Sequence, residues 1–206
     1  MSERTLRKVS ALAGLAAPGR YGKANGAPGV TIEERQGLGI ATVAARKGQA
    51  EALTAAVREA YGVDLPNGSN VARGETVSFI GYGPGQWLAV SGTFAAETLV
   101  HEMGKRLAGL ASIADQHGGR TVLRLSGPRA RDVLAKGLPI DLHPRSFAPG
   151  DAATSTISLM GVQIWQVDDT PVYDIALFRS VSGSFWRWLT ASAAEFGYEV
   201  TAPQGD

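Results

Sequence analysis

One order of elements occurs twice along this chain: strand, helix, hairpin, helix. That order constrains the fold more than any single motif. A hairpin directly after a helix brings the chain back antiparallel to its own first strand, which excludes a doubly wound parallel sheet and favours an α+β architecture. In the first pass VTIEER (30–35) and LGIATVAAR (38–46) read as strands around a Gly37 turn. Residues 49–62 read as a helix, with Ala50, Leu53, Val57 and Tyr61 on one face and Gly62 as its stop. ETVSFIGY (75–82) and QWLAVSG (86–92) are strands joined through Gly83-Pro84-Gly85. Thr93 is placed to cap a helix running to about Leu107, with Leu99, Met103 and Leu107 as its apolar stripe.

The second pass starts with the strand TVLRLSG (121–127). Ser126 is placed to cap PRARDVLAKG (128–137), which has Pro128 in its first turn and Gly137 at its end. Strands AATSTIS (152–158), GVQIWQV (161–167) and PVYDIALF (171–178) follow. A last helix runs from Ser182 to about Phe196 and buries Phe185, Leu189, Ala193 and Phe196 at helical spacing. The expectation is two ferredoxin-like βαββ half-units, about 30–110 and 111–200, with largely antiparallel sheet. Together they make one α+β domain over 30–200, with 201–206 as a tail.

Residues 1–29 are different. They hold Gly14, Gly19, Gly22, Gly26 and Gly29 with Pro18 and Pro28. Such a segment buries too little apolar area to offset its own ordering entropy. It reads as an extended, non-core arm, and a partner chain is the simple candidate to hold it. Basic residues followed by a weakly apolar stretch also have the outline of a signal peptide, but Glu3 and the Ala/Gly-rich composition argue against one.

The 206 residues suffice for a sizeable core. A net charge of +1 lacks the electrostatic footprint of a nucleic-acid binder. With no cysteine there is no disulfide framework, thiolate nucleophile or Cys-ligated zinc, which fits a cytoplasmic protein. No apolar run reaches the ~18 residues of a membrane span.

Motifs for chemistry are sparse. GYGPG (81–85) joins two strands and lacks the Lys of a phosphate loop, so it reads as a hairpin turn. His101, His117 and His143 show no metal-ligand spacing, and HEMGK (101–105) lacks the second His of HExxH. Asp168 and Asp169 precede Thr170-Pro171 and read as turn formers. The stretch KGLPIDLHPRSFAPGDAATSTIS (136–158) gathers Asp141, His143, Arg145 and Asp151. No activated nucleophile accompanies them, and Asp141 before Leu-His-Pro can hold a turn, so the stretch reads as a shaped connector. Arg120, Arg124, Arg129, Arg131, Lys136 and Arg145 form a loose basic run, readable as a solvated face or as an interface. Trp186 lies about 100° round the last helix from Phe185, which makes it the exposed-aromatic candidate. No residue is singled out as catalytic, cofactor-binding or metal-binding; Tyr21, Arg145, Arg179 and Trp186 are the candidate contacts with a partner.

The motifs SGPRARDVLAKG, PIDLHPRSF, LFRSVSGSFWRWL and EFG, in this order and spacing, resemble the gamma subunit of heterotetrameric sarcosine oxidase. The similarity covers about residues 75–198; the first 70 residues match by pattern more than by motif. At Leu138 relatives often carry Cys, a swap expected within the core. That family looks like a reduced relative of the folate-binding, aminomethyltransferase-type domain. In those relatives an acidic residue after the corresponding hairpin works on a folate-bound carbon unit. Here SLMGVQIWQV puts Gln163 and Trp165 in that region, with Asp168 and Asp169 several residues later at a turn.

The resemblance therefore implies a folate-domain fold without its chemistry, in a non-catalytic subunit that docks on and stabilises a flavoprotein complex. It implies that the complex oxidatively demethylates sarcosine to glycine, giving hydrogen peroxide and formaldehyde or 5,10-methylenetetrahydrofolate. FAD, FMN and NAD would belong to the alpha and beta subunits and zinc to the delta subunit, with alpha the direct contact. Alternatives are the matching subunit of another N-methyl amino acid oxidoreductase, a stand-alone folate-dependent one-carbon transferase, and an unrelated scaffold. Substrate tests of the complex, tetrahydrofolate binding by the isolated chain, and the absence of a flavoprotein partner would mark them respectively.

Overall fold

Central strands buried on both faces need a layer on each side. Strand β8 (Arg120–Ser126) and β11 (Val172–Phe178) are of this kind, with Val122, Leu123 and Leu125 on one and Tyr173 to Leu177 on the other all buried. The computed structural model describes residues 9–202 and answers that need with four layers. The remaining strands are β1 (Gly19–Tyr21), β2 (Val30–Glu34), β3 (Gly39–Ala45), β4 (Val71–Arg73), β5 (Ser78–Gly83), β6 (Gln86–Ser91), β7 (Ala111–Asp115), β9 (Ala152–Ile157), β10 (Met160–Asp168) and β12 (Tyr198–Val200). The α-helices are α1 (Ala50–Tyr61), α2 (Ala96–Arg106), α3 (Ala130–Ala135) and α4 (Ser182–Ala193).

A five-stranded sheet runs β4-β5-β6-β3-β7 and a seven-stranded sheet runs β1-β12-β2-β8-β11-β10-β9. All described pairs are antiparallel except β12 with β2. The order β5-β6-β3-β7, with α1 after β3 and α2 after β6, is ferredoxin-like. The second sheet repeats it with β10-β11-β8-β12, except that β2 is wedged between β8 and β12. The α+β, largely antiparallel expectation thus matches the structure. β2, read with the first half, pairs in the second sheet. Four strands not read from the sequence, β1, β4, β7 and β12, extend the two sheets, and β7 closes the first.

The cores follow the layers. Leu53, Val57, Leu99, Met103 and Leu107 of the first two helices and their flanks pack on Val43, Phe79 and Ala89 of the five-stranded sheet. Ile40, Ile80 and Leu88 meet Val122, Trp165 and Ala176 between the sheets. Val133, Leu134, Phe185 and Leu189 cover the far face of the seven-stranded sheet, and Leu138 sits in that core as expected.

Local signals hold in part. Gly62 ends α1 in the left-handed region at φ 69. Thr93 does not cap α2; Ser91 Oγ accepts the Thr93 and Phe94 N–H groups at 3.1 and 2.9 Å, one turn earlier. Nor does Ser126 cap α3. The Arg129 N–H there donates to the Gly29 carbonyl at 3.0 Å, so the arm's end supplies the acceptor. Phe196 is half-buried beneath the cations of Arg129 and Lys136.

The arm is corrected most. Residues 1–8 lie outside the described residues, as do 203–206 of the tail. From Val9 on, the chain holds its own arm. Leu12 is 1% exposed and belongs to the core over α4. Glu34, itself buried, accepts from Ser10 Oγ, from the Ala11 N–H at 3.1 Å and from Thr121 Oγ1 at 3.3 Å. Ser182 Oγ donates to the Ala11 carbonyl at 3.1 Å. Strand β1 pairs with β12, and Gly22 passes so near Ala194 that an added Cβ would lie 2.4 Å from its carbonyl oxygen. Donors and acceptors on β2, β12 and α4 supply what the arm's composition lacks.

On the inter-sheet face, β2, β8 and β11 carry a cross-strand charge row: Glu33 opposite Arg124 opposite Asp174. Arg124 grips Asp174 with two bonds of 2.7 and 2.8 Å, and Arg35 lies 3.7 Å from the same carboxylate. The Asp174 carboxylate raises the Arg124 pKa above its ordinary value. Removing one partner strands a desolvated charge. Asp174→Asn should therefore lose about 3 kcal/mol in urea unfolding, while replacing Arg124 and Asp174 together by apolar residues should lose less than that single change. Leu12→Ala should lose about 2–5 kcal/mol by the same measurement, the range for a buried leucine; a non-core arm would lose nothing measurable.

Candidate functional site

Three places could hold chemistry or a contact, two of them singled out in the sequence and one found in the structure. The connector between α3 and β9 is tied to itself. Asp141 accepts the His143 N–H at 2.8 Å and the Ser146 hydroxyl at 2.7 Å. Those two bonds, led by the His143 N–H, hold the Asp141 carboxyl below its usual range. The His143 ring accepts the Arg145 N–H at 3.2 Å, and Asp151 accepts the Ala148 N–H at 2.8 Å. Each acid ties a turn, and the imidazole faces backbone. The connector reading stands.

The second place is the hairpin where the resemblance would put a folate-site acid. Gln163 and Trp165 of β10 point between the sheets, 1% and 6% exposed. Gln163 donates to the Gly81 carbonyl at 3.1 Å, across to β5, and its own carbonyl oxygen has no partner. Trp165 packs with Ile40, Leu88 and Val122. Asp168 accepts the Thr170 N–H at 3.2 Å, as a turn former does. The space an acid would work in is occupied by packed side chains.

The third place is a cleft of about 580 Å³ at the arm, lined in part by Glu34, Arg35, His117, Arg120 and Arg179. Its ionic groups are engaged within the chain. His117 meets Asp115 at 2.7 Å, and although partial burial works the other way, the His117 N–H and ring lower the Asp115 pKa. Arg179 donates to the Val9 carbonyl. Arg120, 6% exposed, stacks its guanidinium 4.5 Å from the Phe178 ring centre and 5.4 Å from that of Tyr82.

The loose basic run does not form one patch. Arg124 pairs with Asp174, Arg129 with Asp132 and Lys136 with Glu195, while Arg120 lies between aromatic rings. Tyr21 is exposed at the β1 edge, stacked 5.3 Å from Tyr198. Arg145 is exposed in the connector that feeds β9, the opposite edge of the same sheet. Trp186 is 8% exposed, which corrects the exposed-aromatic expectation: with Leu12 it belongs to the core over the seven-stranded sheet, and both line a small cavity of about 150 Å³. The helical wheel could not foresee a cover supplied by the arm. No cluster of three or more His, Cys, Asp or Glu side chains suited to a metal occurs among the described residues.

The family model for the sarcosine oxidase gamma subunit family (SoxG) matches residues 46–195. The chain belongs to that family. The gamma subunit of sarcosine oxidase from Corynebacterium sp. strain P-1 is 32% identical over 183 residues, 87% of this chain and 88% of that one. The gamma subunit from an Arthrobacter species is 30% identical over 152 residues, 72% of this chain and 73% of that one. Among solved structures, a chain of the heterotetrameric sarcosine oxidase from Corynebacterium sp. U-96 superposes with a TM-score of 0.78 at 27% identity, covering 92% of this chain and 96% of its own. Glycine cleavage system aminomethyltransferase T from Bartonella henselae shares the fold at a TM-score of 0.62 and 15% identity, over 84% of this chain and 48% of that one. The family's fold is thus carried here with Gln163 and Trp165 closing the inter-sheet space.

Gln163→Glu tests whether that space tolerates an acid. Burial raises a carboxyl pKa, so the deficit against the parent should open as pH rises from about 4.3 and level off above the raised folded value. Urea unfolding at pH 5 and pH 8 should show a loss of about 2–4 kcal/mol at the higher pH and a smaller one at the lower. An equal loss at both would mean the site admits water.

Proposed function

We propose that this chain is the non-catalytic gamma subunit of a cytoplasmic heterotetrameric sarcosine oxidase, docking on and stabilising the flavoprotein assembly. The observation that carries this reading is the family match over residues 46–195, together with the likeness to a chain of a heterotetrameric sarcosine oxidase over 92% of this one. The reaction of the assembly is sarcosine, oxygen and water going to glycine, formaldehyde and hydrogen peroxide, or to 5,10-methylenetetrahydrofolate when tetrahydrofolate takes the carbon. FAD, FMN and NAD sit on the alpha and beta subunits and zinc on delta, and alpha is the direct contact.

Among the described residues, the turn that could best receive a dinucleotide does not fit one. The strand-to-helix turn best placed for a pyrophosphate is Ser126-Gly127-Pro128, before α3. There a Cβ on Gly127 would lie 2.7 Å from the Gly29 carbonyl oxygen, which already takes the Arg129 N–H. Tyr21, Arg145 and Arg179 remain the proposed contacts. Tyr21 and Arg145 sit at opposite edges of one sheet, so a partner touching both would wrap that sheet. No helix among the described residues is long and apolar enough to cross a membrane.

The test is affinity purification of the tagged full chain co-expressed with its genomic neighbours, with native mass spectrometry and a flavin absorption spectrum. The expected result is a yellow complex of four different subunits that consumes oxygen with sarcosine. A colourless monomer would overturn the reading, and tetrahydrofolate binding by that monomer would favour a stand-alone transferase.

A further inference from the structure

The turn joining β9 to β10 breaks a rule the rest of the chain keeps. Among the described residues thirteen glycines have positive φ, and the two other residues that do are Ser158 at 49° and Leu159 at 68°. They are the central pair of a two-residue hairpin, since Ile157 pairs directly with Met160. A turn of this hand is the kind that selects Asn-Gly, because a side chain with a Cβ is strained there. Leucine has no side-chain group to bond the backbone in compensation. It is also 97% exposed, while the other large exposed apolar residues range from 40% to 60%. The isolated chain gains nothing from this residue in either respect.

The strand leading to the turn is unusual as well. A sheet edge offers unpaired backbone groups, and proteins guard such edges with charge, brevity or bulges. Edges β1 and β4 are three residues long and carry Arg20 and Arg73, and β7 ends in Asp115. Edge β9 has six residues, and from Ala152 to Val167 the sequence has no charged side chain. Its base is fixed: Asp151 bridges Asn70, and Thr154 Oγ1 donates to the Tyr82 carbonyl at 3.4 Å. A rigid, uncharged hairpin therefore presents a strained leucine at its tip.

We propose that this tip is a docking element, seating Leu159 in an apolar, uncharged pocket of a larger partner subunit with the outer edge of β9 against it. This rests on the docking function proposed above. The partner is a different chain rather than a second copy. The Ser69 carbonyl already takes the Ala152 N–H at 2.9 Å and Asn70 bridges Asp151, so the outer edge is covered at its start and two β9 edges cannot pair over their full length.

The experiment uses the full chain with its co-expressed neighbours, comparing the parent with Ser158→Asn/Leu159→Gly and with Thr156→Lys, which charges an exposed position of the edge strand. The double variant relieves the turn, so the isolated chain's Tm should rise by about 2–4 °C while its affinity for the complex falls at least tenfold. Thr156→Lys should leave Tm within about 1 °C and also weaken assembly. If the parent assembles and both variants assemble equally well, the tip is overturned and the docking function stands. If the parent does not assemble, both readings fail. A homodimer that the variants abolish would overturn the choice of partner.

Discussion

Strand β2 is bonded on both sides, antiparallel to β8 and parallel to β12, and much of the molecule depends on that insertion. It brings residues from before the first ferredoxin-like unit into the sheet of the second. Only residues 35–38 join β2 to β3, so the first unit is tethered closely to the second sheet. The ends of β2 also fix what lies beyond. Glu34, at the far end, holds Ser10 and Ala11. Gly29, just before it, supplies the carbonyl that receives the first turn of α3. One strand thus anchors the arm, orders a helix start and joins the halves.

The same insertion shapes the space between the sheets. β2 places Glu33 beside Arg124, and the row continues through Asp174 to Trp165 and Ala152. Charges there are matched within the row, and Gln163 spans to the opposite sheet. A face built this way trades an open polar chamber for rigidity. Catalysis by a carboxyl needs room for substrate and a pKa held near working pH. Here the carboxylates nearest the middle are committed to arginine, and the amide stands where packing leaves no room.

Local signals reached the helices and most strands, because those depend on periods of 3.6 and 2 that side chains write directly. Leu99, Met103 and Leu107 face the core as their spacing says. β7 escaped because Ala-Ser-Ile-Ala-Asp is short and exposed on most positions. The caps failed for a different reason. Ser126 and Thr93 have the right chemistry, but a carbonyl from the arm meets the Arg129 N–H before α3, and α2 starts beyond Phe94 with no side-chain cap. Composition misled on the arm, where a single leucine and a buried glutamate outweigh many glycines. The connector and the turn aspartates were legible, since Asp141 and Asp168 bond within two residues of themselves. Leu159 gave no signal in sequence because a leucine in a hydrophobic stretch reads as core. Its backbone angle and exposure are visible in three dimensions alone.

A subunit that docks must keep some surface unattractive to water, yet fold alone long enough to find its partner. This chain resolves the conflict by position. Trp186, the aromatic best suited by size to anchor a contact, is covered by its own arm. The seven-stranded sheet is guarded at β1 by brevity and an Arg20–Glu199 pair at 3.7 Å. What stays unguarded is confined to a narrow hairpin whose base is bonded to the other sheet. A narrow projection exposes little area to self-association, while its rigidity lowers the entropy lost on insertion into a pocket. Strain kept at one turn, in a chain that otherwise reserves such angles for glycine, is where a local rule gives way to a demand from outside the chain.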